Sequence, residues 1–240
     1  MTRKITYSVI ALLCLFIMLA HPLSAQDGES RGGINFGIKG GYNTNFLSQD
    51  QPHIGFSSGY HGGFFTNYSF SSSLGLQAEL MYLAQGGQFN ILYNDYRFNG
   101  SSVPFPFRIE DANVTIHNID IQLLADLRLL PVDGLSLRIG PAFGFNLGST
   151  ITSEVTVPLD ELFVTYTDTR DFSGSTPFFQ FGAVGGIGVA VPAGSVDFLI
   201  DIYYRYGITP AIEGHSYINY AGVMSDLTAH SIAISLGIAF

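Results

Sequence analysis

The chain has 240 residues, of which 47% are hydrophobic and only 12% charged, with 28 glycines, no tryptophan and a net charge of −9. So few charges do not suit a soluble domain surface, and so acidic a chain does not suit nucleic acid. No run of 18 or more apolar residues is present, so a membrane-crossing helix is excluded and strands remain as the element able to cross a bilayer.

The N-terminus reads as a targeting segment. Arg3 and Lys4 precede an apolar run from Val9 to Ala20, which Pro22 ends. That run is too short to span a bilayer but suits a signal-peptide core, with Leu23-Ser24-Ala25 before the cut. Residues 1–25 are therefore expected to be removed, leaving a short tail over 26–33 and a barrel domain over 34–240. Cys14 goes with the leader, so the mature chain has no thiol for a disulfide or for thiolate chemistry. It keeps 8 Lys and Arg against 19 Asp and Glu, a net charge of −11.

Eight segments then alternate with a period of two, the side-chain period of a strand. In Ile34–Tyr42, Ile34, Phe36, Ile38 and Tyr42 oppose Asn35 and Lys39. In Gly59–Phe70, Tyr60, Phe64, Tyr68 and Phe70 oppose His61, Phe65 and Asn67. In Leu74–Gln85, Leu74, Leu76, Leu80 and Tyr82 oppose Gln77, Glu79 and Gln85. In Thr115–Leu130, Ile119, Ile121, Leu123, Leu127 and Leu129 oppose Asp120, Gln122, Asp126 and Arg128. Leu135–Leu147 sets Leu137, Ile139, Phe143 and Phe145 against Arg138 and Asn146. Phe178–Val191 sets Phe179, Phe181, Ile187 and Val189 against Gln180 and glycines. Val196–Ile208 sets Phe198, Ile200, Ile202, Tyr204 and Tyr206 against Asp197, Asp201 and Arg205. The last segment, Thr228–Phe240, sets Ile232, Ile234, Leu236, Ile238 and Phe240 against small and polar residues.

Short connections at Phe70–Ser73, Pro131–Gly134 and Pro192–Ser195 alternate with long ones at Thr44–Ser58, Gly86–Val114, Gly148–Pro177 and Thr209–Leu227. This is the layout of an all-β, eight-stranded antiparallel up-and-down transmembrane barrel, with short periplasmic turns and long extracellular loops. In a soluble barrel the polar face would be solvated and rich in Lys. Here, apart from Asp197 near a turn, it carries Lys39, Glu79, Asp120, Asp126, Arg128, Arg138, Asp201 and Arg205, balanced four against four, among small residues. A small lumen filled by side chains requires that neutrality, because an unpaired buried charge costs several kcal/mol. Arg128→Ala or Glu79→Ala is accordingly expected to destabilise the barrel by roughly 3–5 kcal/mol where the partner is buried. Phe240 ends the final strand as an apolar aromatic and is expected to serve as the C-terminal signal read by the barrel-assembly machinery.

No motif carries catalytic or cofactor chemistry. Gly55-Phe56-Ser57-Ser58-Gly59 has the spacing of a nucleophile elbow but precedes a strand, not a helix. The glycines at 182, 185, 186 and 188 lack the helix that a dinucleotide site needs. His53, His61, His117, His215 and His230 are scattered, and the acidic pairs Glu110-Asp111 and Asp160-Glu161, with Asp168 and Asp171, read as solvated loop charge. No cofactor, metal or nucleic acid is expected. Tyr82, Tyr204 and Tyr206 read as members of an aromatic girdle.

Several stretches together resemble the PorT-like outer-membrane β-barrel family of the Bacteroidetes. They are Phe36-Gly37-Ile38-Lys39-Gly40-Gly41, Gly59-Tyr60-His61-Gly62-Gly63, Leu76-Gln77-Ala78-Glu79-Leu80-Met81-Tyr82, Ile119-Asp120-Ile121-Gln122-Leu123-Leu124, Arg138-Ile139-Gly140-Pro141, Tyr204-Arg205-Tyr206-Gly207-Ile208 and Ile238-Ala239-Phe240. Gln122 stands where the family often has Pro. The resemblance implies a barrel in the outer membrane of a Gram-negative bacterium, without one fixed activity. The reading is of a non-enzymatic barrel with a structural, binding or assembly role through its extracellular loops, in contact with outer-membrane lipid and lipopolysaccharide. An accessory part in type IX secretion, with secretion-system proteins as partners, is the alternative that the family implies. A rim-site enzyme built around His61 or His117 is the remote one.

Overall fold

A computed structural model describes residues 33–48, 54–93, 107–129, 134–159, 162–213 and 226–240. The expected signal peptide, most of the tail, His53, His215 and the Asp160-Glu161 pair lie outside the described residues. Ten strands are present among them: β1 Ile34–Ser48, β2 Ile54–Gly55, β3 Ser57–Ser69, β4 Leu74–Tyr93, β5 Phe107–Arg128, β6 Leu135–Leu159, β7 Leu162–Asp171, β8 Phe179–Ala193, β9 Val196–Gly207 and β10 Thr228–Ala239. Eight of them close a ring in the order β1, β3, β4, β5, β6, β8, β9, β10, every neighbour antiparallel. The last strand returns to the first, from Gly37 opposite Ala239 to Ser48 opposite Thr228, and backbone bonds between Phe36 and Phe240 finish the seam. Closure removes both sheet edges, so the ladder is satisfied without water.

The turns at one end are as short as the spacing implies. Ala193 pairs with Val196 across the two-residue turn Gly194-Ser195. Gly194 takes φ +72° and Gly134 takes φ +79°, backbone positions where glycine avoids a Cβ clash and where tight hairpins need it.

At the other end the structure departs from the sequence reading. Much of the stretches 86–114 and 148–177, expected as loops, is strand. β4, β5 and β6 run for 20, 22 and 25 residues, about twice what a tilted membrane strand needs. β6 turns back into β7, paired from Thr150 opposite Asp171 to Leu159 opposite Leu162. β2, β4, β5, β6 and β7 thus form a sheet that stands above the ring. A bulge at Leu147 separates the two parts of β6, since His117 pairs with Gly148 and Asn118 with Asn146. The extra residue flips the parity of β6 at that height.

Outward positions of the ring are aliphatic or aromatic. Ile200, Ile202, Ile232, Ile234 and Leu236 are all exposed, and Leu236 is 64% exposed, the reverse of a water-soluble fold. Tyr68 and Phe70 pack edge to face at the turn end. At the far end Tyr82 stacks on His117, and His230 lies among Phe46, Tyr204 and Tyr206. Aromatic side chains gathered at both ends of the apolar band mark the two membrane interfaces. Leu236→Arg is expected to destabilise the folded barrel in vesicles by about 2–4 kcal/mol. Urea titration in lipid vesicles measures this, and an unchanged midpoint would mean that this face does not meet hydrocarbon.

Candidate functional site

The interior is the chemically distinctive part of the molecule. It is layered along the barrel axis, and β9 climbs through the layers with Leu199, Asp201, Tyr203 and Arg205 pointing in. At the turn end, Phe65, Leu199 and Ala239 form an apolar floor. Above it, and reaching down to the turn-end mouth on the β3–β5 side through Asn67 and Asp126, lies a network of ions. Lys39 Nζ sits 2.6 Å from Glu79 Oε1 and 3.6 Å from Asp201 Oδ2. Arg138 donates from Nε to Asp126 Oδ1 at 3.0 Å and from Nη1 to Asp201 Oδ1 at 2.6 Å. Gln77 donates to Glu79 at 2.5 Å and Asn67 to Asp126 at 3.0 Å.

Tyr203 joins the two halves of this network. Its hydroxyl accepts from Lys39 Nζ at 2.9 Å and from Arg138 Nη1 at 2.9 Å, and donates to Asp201 Oδ2 at 3.0 Å. Lys39 Nζ also lies 4.2 Å from the Tyr203 ring centroid, on the attractive face of the ring. Each charge therefore has an opposite charge and further hydrogen bonds, the condition under which burial of ions is tolerated.

Higher up is a second, smaller ion pair. Arg205 Nε donates to Asp120 Oδ2 at 2.8 Å, and Arg205 Nη1 to Gln85 Oε1 at 3.0 Å. Gln85 passes the chain on to Gln180 at 2.6 Å. Leu124, Ala142, Val184 and Tyr203 pack on the β5–β9 wall. Between the ion layers a cavity of about 40 Å³ is lined by Lys39, His61, Glu79, Gln122, Tyr203 and Arg205 among others. It has room for a few water molecules at most.

The outer mouth is shut by carbon. Leu47, Val114, Ile116, Phe172, Ala211, Ile212, Leu227 and Ala229 form one buried cluster, with Ile151 packed against it. Backbone bonds lock the connecting segments over it: Ala211 to Leu227 at 2.7 Å, Glu213 to Ser175 at 2.8 Å and Phe172 to Ser149 at 2.8 Å.

All eight charged positions singled out in the sequence point into the lumen, divided between these two layers. Seven are buried. Arg128 is the exception: it sits at the turn-end mouth, its side chain 35% exposed, 3.7 Å from Asp126 and bonded to Ser69. Solvent screens it there, so the large cost expected for Arg128→Ala does not apply, while Glu79, 3% exposed, keeps it. Phe240 lies at the seam, exposed on the outer face.

Other contributions escape the sequence pattern. Tyr203 is masked by its neighbour Tyr204, and only strict parity assigns it inward. Gly144 and Gly188 make room for the ion pairs. A Cβ at Gly144 would come within 2.8 Å of Asp120 Oδ1, and one at Gly188 within 2.8 Å of Arg138 Nη1.

His61 pairs with a hydroxyl, as a catalytic base would. Its Nε2 is 2.6 Å from Ser235 Oγ and its Nδ1 is 3.4 Å from Asn43 Oδ1. The order resembles a nucleophile, a base and an orienting group. Ser235 is 1% exposed and faces only the small cavity, so a substrate has no approach. Ser57, in the elbow-like spacing, opens β3 opposite Asn45, with no helix after it. Among the described residues no cluster of His, Cys, Asp and Glu is arranged to hold a metal.

Closed antiparallel strands, aromatic side chains at both ends of an apolar band and a filled polar interior define an integral outer-membrane barrel. The chain belongs to the family described as outer membrane protein beta-barrel domain, whose model matches residues 24–213. It is a transmembrane protein of the Gram-negative outer membrane. Solved structures of similar shape include Neisserial surface protein A, at 13% identity over 86% of this chain and 97% of that one, TM-score 0.38. Ail, the attachment invasion locus protein of Yersinia pestis, matches at 11% identity over 86% and 98%, TM-score 0.40. A major outer membrane protein from Thermus thermophilus matches at 14% identity over 87% and 100%, TM-score 0.43. No curated protein matches the chain.

Tyr203→Phe is expected to lower stability by about 1–3 kcal/mol, since two buried cations lose an acceptor and Asp201 a donor. Tyr204→Phe, on the lipid side, serves as the control. Equal urea midpoints for the two variants would contradict the hub.

Proposed function

We propose that this protein is a sealed membrane anchor that holds a β-sheet above the cell surface for binding, and that it neither conducts nor catalyses. The observation that carries this reading is the closure of the lumen at three levels: floor, ion layers and apolar cap. An eight-stranded ring is just wide enough to be filled by side chains, and here it is filled. Strand length supports the other half of the reading. Residues that extend β4, β5 and β6 beyond the bilayer serve no purpose in crossing it.

The lack of a reachable nucleophile beside a base among the described residues argues against a hydrolase at the rim. Lipid and lipopolysaccharide are the surroundings such a barrel meets, and the exposed Phe240, just after β10, would be the residue that the assembly machinery reads. A second reading is favoured by the matching stretches from Phe36 to Phe240: a PorT-like barrel of the Bacteroidetes, made with a cleaved signal peptide over 1–25, whose raised sheet docks type IX secretion components. It is distinguished by the exported proteome of a strain lacking the gene, which loses cargo if this reading holds.

Reconstituted into planar bilayers, the purified protein is expected to give no stable conductance step. Removing the Phe172 side chain should not open one, because the ion layers below still close the bore. A large, stable step from the unaltered protein would overturn the sealed-anchor reading.

A further inference from the structure

The outward face of the barrel changes chemistry at one height. On β6, Phe143, Phe145 and Leu147 face lipid below the bulge. Above it the inward side is Ser149, Ile151 and Ser153, since Ser149 and Ser153 are buried and Ile151 packs on the apolar cap. Thr150 and Thr152 therefore continue the outward side. Register extends the row across the sheet: Thr115 on β5 opposes Thr150, and Asn113 on β5 opposes Thr152, which opposes Thr169 on β7. Thr167 lies one step higher on the same face as Thr169. Ala112 and Val114 are fully buried on the other face of β5, which fixes Asn113 and Thr115 outward.

The face that meets acyl chains thus continues, without a change of side, into a field of hydroxyl and amide groups. The Thr152 and Thr169 hydroxyls are 3.2 Å apart. The Asn113 side-chain oxygen is buried and so adds no acceptor to the exposed surface. The field begins within a few residues of Leu147 and rises by about 3.3 Å of strand per residue, so it occupies the first layer above the lipid headgroups. Glu154 and Asp171 border it. Neutral donors and acceptors fit sugar hydroxyls. An acidic border does not attract phosphate.

We propose that this threonine face of the raised sheet packs against the sugar layer of outer-leaflet lipopolysaccharide, and recognises the glycan rather than its phosphates. The inference builds on the reading of the raised sheet as a binding element, and names its neighbour. It explains why a sheet outside the membrane keeps one face hydroxyl-bearing and uncharged at its centre, while the opposite face carries the Asp168–Arg170 pair.

Hydrogen exchange of the full protein tests this in three vesicle types: phospholipid alone, lipopolysaccharide with a complete core, and lipopolysaccharide truncated to lipid A and its innermost acidic sugars. Exchange of amides in 148–158 and 162–171 is expected to slow several-fold with the complete core only, and the slowing should be lost in a Thr152→Ala, Thr169→Ala double variant. Amides of β9 serve as the internal control for folding. Equal exchange in all three vesicles would overturn the proposal. Equal slowing with truncated lipopolysaccharide would overturn the sugar assignment in favour of phosphate. A conducting barrel would defeat the sealed-anchor reading and leave this contact standing, so the two failures are separable.

Discussion

A ring of eight strands admits no bulk water to its interior, so every buried charge must find an opposite charge on another strand. This constraint organises the molecule. Four basic and four acidic side chains point in, and they are distributed into a larger network around Tyr203 and a smaller pair at Arg205 and Asp120. Each layer that holds charge is bounded by one that holds carbon. Ions in such a place add little net stability by themselves; what they impose is a unique arrangement, because any slip of register would strand a charge.

The same constraint sets the steric pattern. Lumen space is so limited that glycine becomes a spacer for guanidinium and carboxylate groups, as at Gly144 and Gly188. On the outside no such economy applies, and the wall is lined with Ile, Leu, Phe and Tyr against lipid. The inside and outside are therefore complementary readings of one period-two code: polar and small where the ring is tight, large and apolar where the solvent is hydrocarbon.

That code made much of the fold legible in advance. Strict alternation places Lys39, Glu79, Asp120, Asp126, Arg138, Asp201 and Arg205 on the inward side without any structure. Contacts across the bore were not legible, because residues far apart in sequence, such as Lys39 and Tyr203, meet only after closure. The raised sheet was hidden for a different reason. Thr150, Thr152, Thr167 and Thr169 alternate with residues that are not uniformly apolar, so the hydrophobic signal that announces a membrane strand is missing, and the segment reads as loop. The cap was hidden as well: Phe172, Ile212 and Leu227 lie in irregular connections whose burial no periodicity announces.

The most direct test of the sealed, charge-filled interior is a double-mutant cycle between Lys39 and Glu79, with Lys39→Met, Glu79→Gln and the pair measured by urea unfolding in lipid vesicles. If the two groups are buried together, each single variant strands the other's charge or hydrogen bond, and the double variant recovers part of the loss. A coupling of about 1–3 kcal/mol is expected. Costs that add to within about 0.5 kcal/mol would contradict a buried pair, and would mean that water, not protein, surrounds these charges.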